Sequence, residues 1–148
     1  MTTTLTAATL TVTVTEAVSL NGYDQGSKNT LTIASINEVN KRIVTVPASE
    51  IEVVAISTAN ASGTFIEGDV RYMRFTNLDD TNHLTLTFKN ENADEFAVKL
   101  DKGQSFIYNA DSSGGVVDTM DGIDGTGLTL SLGDLVNVTA LADTAACD

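Results

Sequence analysis

Residues 70–108 read VRYMRFTNLDDTNHLTLTFKNENADEFAVKLDKGQSFIY, and this stretch decides the fold class. Val70, Tyr72 and Arg74 alternate with Arg71, Met73 and Phe75. Leu84, Leu86 and Phe88 alternate with Thr85, Thr87 and Lys89, and Phe96, Val98 and Leu100 alternate with Glu95, Ala97, Lys99 and Asp101. Ser105-Phe106-Ile107-Tyr108 follows the turn Lys102-Gly103. Strict period-two alternation marks a strand with one face against a core. The intervening segments, Asn77 to Asn82 and Asn90 to Asp94, are rich in Asn and Asp, which satisfy their own turns. Four strands joined by such short loops predict a β-meander over about 70–109. Its amphipathic faces require a second layer, so the expected architecture is all-β: a two-sheet antiparallel β-sandwich or jelly roll.

Outward from the meander the same pattern continues. Leu10, Val12 and Val14 alternate with Thr9, Thr11, Thr13 and Thr15, leaving a Thr face free for water or another subunit. Asn21-Gly22 is a hairpin signal, because both residues tolerate positive φ. Leu31 and Ile33 sit at strand spacing, Lys41 to Val46 reads as a strand stopped by Pro47, and Ile51 to Ser57 reads as a central strand. Ser35 to Asn40 offers at most one helical turn. Leu128, Leu130 and Leu132, then Leu135 to Thr139, supply closing strands for the second sheet. Residues 111–127, dominated by Gly, Ser and Asp, read as a mobile acidic surface loop. Residues 1–148 are expected to form one domain, with 1–20 either a strand arm toward a neighbouring subunit or a strand paired within its own domain.

Composition agrees. Of 148 residues, 22 are Thr, 14 Val and 8 Ile, so β-branched side chains suited to a pleated surface dominate. The net charge of −12 is spread unevenly: residues 1–27, 28–102 and 103–148 carry −2, −3 and −7, and the last block has no base. Binding to phosphates needs clustered Lys and Arg, and no basic patch is visible, so nucleic acid and anionic membrane are poor partners. The start of the chain lacks the basic and apolar regions of a signal peptide, and the longest apolar run, Val53 to Ile56, falls far short of the roughly twenty residues a membrane helix needs.

Catalytic inventory is thin. The chain has one His (His83) and one Cys (Cys147), 64 positions apart, so neither a zinc site nor a Cys-His pair is written into the spacing. The near-terminal Cys147 is expected in a frayed segment. There is no nucleophile elbow and no phosphate-binding glycine loop. Asp79-Asp80 and Asp94-Glu95 fall in turns, where they cap backbone groups rather than face a cleft. The one metal-like run places Asp118, Asp121 and Asp124 among glycines. Calcium loops use such residues, but acids at every third position do not fit the spacing of a calcium loop, so these three are only a weak calcium candidate beside a plain acidic loop, and no cofactor is expected. The aromatics Tyr72, Phe75, Phe88, Phe96, Phe106 and Tyr108 have the spacing of a core, with a sugar-stacking platform as the other reading.

The runs Arg71 to Asn82, Leu84 to Phe88, Glu95 to Leu100 and Gly103 to Asn109 resemble small virion structural proteins of tailed bacteriophages, especially marine and cyanobacterial ones. The likeness covers roughly residues 70–140, and the shared motifs are structural. It implies a non-enzymatic accessory component of the capsid, a decoration or cement protein, or alternatively of the tail or a fibre. A carbohydrate-binding module is the reading from another class. The resemblance further implies a place on the capsid surface after synthesis in the bacterial cytoplasm, with the major capsid protein and copies of the chain itself as partners. Thr9, Thr11, Thr13 and Thr15 are the candidate contact residues, since strand addition needs mainly backbone hydrogen bonds.

Overall fold

A computed structural model describes residues 4–59, 61–108 and 135–148. The chain is all-β, and its main body has two layers. The larger sheet has five strands in the order β6-β5-β11-β8-β9: β5 (Ile51–Ser57), β6 (Thr64–Ile66), β8 (Leu84–Asn90), β9 (Glu95–Leu100) and β11 (Leu135–Ala142). All pairs in it are antiparallel except β5–β6. The second layer is a pair, β7 (Met73–Thr76) with β10 (Ser105–Tyr108). A separate ribbon joins β1 (Ala8–Glu16) to β4 (Ser27–Ile36), and β2 (Ser19–Leu20) with β3 (Tyr23–Asp24) forms the hairpin at its far end.

Alternation places the core. In β8, Leu84, Leu86, Phe88 and Asn90 are buried while the residues between them are half-exposed. Phe88 is fully buried and lies directly opposite Phe96 on β9, ring on ring at 4.7 Å. From the other layer Phe75, Phe106 and Tyr108 reach the same ring, with centroids 5.8, 5.5 and 4.8 Å away. Aromatic pairs at these separations add to the area they bury, so Phe88 is the hub where the two layers meet.

The strands of residues 70–109 form where alternation predicts, but the meander is corrected in its pairing. β8 and β9 are hairpin neighbours as expected, whereas β7 pairs with β10 and not with β8. Each of the loops 77–83 and 101–104 therefore crosses from one layer to the other. Asn77 ties the two crossings together. Its buried side chain donates to the carbonyls of Asn82 (2.9 Å) and Leu100 (3.1 Å), its Oδ1 accepts the Asp79 N–H, and its backbone exchanges bonds with Gln104 and Gly103. A short loop allows a hairpin or a crossing; here the two loops exchange backbone hydrogen bonds through Asn77, and that favours the crossing.

Three further expectations change. Lys41 to Val46 is not a strand: only Val46 bridges, to Cys147, and Ile43 is exposed. With Pro47 next, the ladder has no donor to extend it. Residues 35–40 form no helical turn, because β4 runs through Ile36, with Ser35 in the left-handed region at φ 61°. Cys147 is not frayed. It is buried, exchanges hydrogen bonds with Val46 (2.6 and 2.9 Å), and is followed by Asp148, whose carbonyl accepts the Leu78 N–H at 2.8 Å. The expected strand Ile51–Ser57 is observed as an interior strand, and Leu135 to Thr139 falls in β11, the centre of the large sheet. Residues 111–127 and the Leu128-Leu130-Leu132 run lie outside the described residues.

Candidate functional site: an exposed two-stranded ribbon

The ribbon is built from its register. Leu10 lies opposite Ile33, Val12 opposite Leu31 and Val14 opposite Asn29, so one face is apolar toward its base. Thr11 faces Thr32, Thr13 faces Thr30 and Thr15 faces Lys28, which makes the other face a ladder of hydroxyls. The Thr13 and Thr30 hydroxyls are 3.4 Å apart across this ladder. Ile33 is fully buried, but the apolar face opens toward the far end: Val14 is 47% exposed.

At that end Asn21 and Gly22 adopt φ of 52° and 82°, the two left-handed residues of a tight hairpin turn. They display Leu20 and Tyr23 opposite each other at 64% and 73% exposure, beside exposed Val18. The base of this hairpin is locked locally. Ser27 Oγ donates to Glu16, Asp24 accepts the Gly26 N–H at 2.8 Å, and Gln25 N–H donates to the Val18 carbonyl at 2.8 Å. Gly26 is required there, because a Cβ would stand 2.3 Å from the Glu16 carbonyl oxygen.

All four predicted contact residues, Thr9, Thr11, Thr13 and Thr15, are exposed on the outer face of β1. β1 is paired to β4 within its own chain, the second of the two alternatives for this segment, and what the ribbon offers is a face, a tip and the outer edge of each strand. The fold adds Val18, Leu20 and Tyr23, which sequence reading passed over. The signal was present in apolar residues flanking Asn21-Gly22, where a hairpin this short has no core to cover them. Asp118, Asp121 and Asp124 lie outside the described residues.

The remaining chemistry-bearing groups are structural in their contacts. His83 Nδ1 is 3.6 Å from Asp143. The fold also brings Cys147 to His83, but the thiol approaches backbone carbonyls, those of His83 and Ala145, each at 3.7 Å. Burial, then the negative charges of Asp79, Asp148 and Asp143, push its pKa up, which disfavours a thiolate nucleophile. Asp79 caps its turn by accepting the N–H groups of Thr81 and Asn82, and those two bonds hold its carboxyl below the usual range. Glu50 is likewise held low by Lys89 and Thr139. Among the described residues no three His, Cys, Asp or Glu side chains cluster as metal ligands, and no helix is long and apolar enough to cross a membrane. The chain matches no family model, no curated protein and no solved structure.

Proposed function

We propose that this chain is a non-enzymatic virion structural protein: a capsid decoration protein of a tailed bacteriophage that binds the major capsid protein and copies of itself on the outside of the head. The observation that carries this reading is the ribbon. It is a long element whose residues are mostly exposed, with apolar side chains at its tip, on a chain of net charge −12 whose residues 8–36 bear only Glu16, Asp24 and Lys28. A nearly neutral, partly apolar projection is suited to contact with protein, while an acidic remainder favours solubility and spacing between neighbours. The likeness of residues 70–140 to virion components supports the same class.

The carbohydrate reading loses its main support, since Phe75, Phe88, Phe96, Phe106 and Tyr108 stack on one another instead of forming an open platform. Electron microscopy of the native virion tests the proposal. Density for this chain at repeated positions over the head supports it. Density confined to the tail or a single vertex supports a tail or fibre component instead, and absence from the particle rejects both.

A further inference from the structure

We propose that the outer edge of β1 pairs antiparallel with β1 of a second copy of this chain, about a two-fold axis at Val12, to form a continuous four-stranded sheet. The first ground is the edge itself. Among the described residues β1 pairs only with β4, so half of its backbone N–H and C=O groups point away from any strand. Natural proteins guard such edges with charges, prolines or extreme shortness. Residues 8–15 have no charge and no proline, and β1 is nine residues long.

The second ground is that the strand is self-complementary. Thr9-Leu10-Thr11-Val12-Thr13-Val14-Thr15 has the same polar–apolar pattern in both directions. Centred on Val12, antiparallel pairing sets Leu10 opposite Val14, Thr11 opposite Thr13 and Thr9 opposite Thr15. Directly opposite residues share a face, so the apolar face meets apolar face and the hydroxyl ladder doubles in width. A register shifted by one residue would set Thr against Val and mix the faces. β4 is the poorer edge, with Lys28 near one end and the left-handed Ser35 near the other.

The third ground is energetic. A lone two-stranded ribbon is marginal in water, and three or more strands with an apolar face are needed for independent stability. Pairing two ribbons supplies those strands from residues 8–36, which bear only Glu16, Asp24 and Lys28. An edge-to-edge contact of this kind is isologous and closes as a dimer.

This contact deepens the self-association in the proposed function, but its test uses the isolated full-length chain, so it succeeds or fails independently of where the chain sits in a virion. Sedimentation at about 100 µM protomer is expected to show a dimer. The double variant Thr11→Lys/Thr13→Lys sets like charges opposite each other twice across the axis and is expected to weaken the dimer roughly tenfold or more, as is Thr11→Glu/Thr13→Glu. Both positions are solvent-exposed, and unchanged circular dichroism shows that each variant is folded. Mixing the Lys and Glu variants is expected to restore dimers containing one of each. Val12→Cys is expected to cross-link to itself on mild oxidation. A monomeric parent chain, dimers that survive both double variants, or failure of the mixture to associate would each overturn the proposal.

Discussion

Cys147 stands one residue from the end of the sequence, yet its side chain is among the most buried in the molecule. Two backbone bonds to Val46 and the bond from Leu78 to Asp148 hold the last two residues against the body of the fold. Burial, then the negative charges of Asp79, Asp148 and Asp143, makes ionising the thiol in the folded state costly, and its pKa rises. In the unfolded chain the thiol ionises at its ordinary value, roughly 8.5. The unfolded state therefore holds fewer protons than the folded state once the pH passes that value, and stability falls as pH rises further. The contribution is fully present below the ordinary thiol value and is lost as pH climbs through the raised one. Urea titrations between neutral and alkaline pH should show this decline, and Cys147→Ala should flatten it while lowering stability at neutral pH. An unchanged alkaline slope in the variant would place the effect elsewhere.

Asn77 acts at the level of elements. Alternation identified β7, β8, β9 and β10 and the side chains each turns inward, because the two-residue period is local to each strand. Partner choice was not local. The loops 77–83 and 101–104 are short enough for hairpins, but they run side by side between layers and share Asn77 as their common hydrogen-bonding centre. Asn77→Ala removes two donated bonds and one accepted bond in a buried place, at about 1 kcal/mol each with some unsatisfied partners left behind, so a loss of about 2–4 kcal/mol is expected in chemical denaturation. Asn77→Asp should cost more, since a carboxylate would face the carbonyl oxygens of Asn82 and Leu100. A loss below about 1 kcal/mol for both variants would show that the crossings are held by the aromatic packing alone.

Over the whole sequence, charge is spread unevenly. The ribbon carries exposed Val14, Val18, Leu20 and Tyr23 with three charges, and the base-free residues 103–148 carry seven acids. If the chain decorates a phage head, as proposed, and the ribbon makes the contacts, removing residues 1–15 should abolish binding to purified heads, because it takes away β1 and leaves β4 without a partner. On the same condition, neutralising Asp118, Asp121 and Asp124 to Asn should leave head binding within about twofold, since exposed ion pairs typically contribute little. Quantitative pull-down on heads lacking this chain compares the two, and the opposite order would assign the contact to the acidic segment.

The sequence alone determined the all-β class, most strand positions and the inward side chains, including the aromatic set around Phe88, since each follows from alternation within a few residues. It also marked the Thr face and the Asn21-Gly22 turn. Only the tertiary structure decided that β7 joins β10, that β11 from the far end of the chain sits at the centre of the large sheet, that Cys147 is buried, and that residues 9–15 pair with β4 yet keep an open edge. Those outcomes depend on which distant backbone groups satisfy one another and which faces meet. Such choices are made between segments far apart in the chain, and no local period records them.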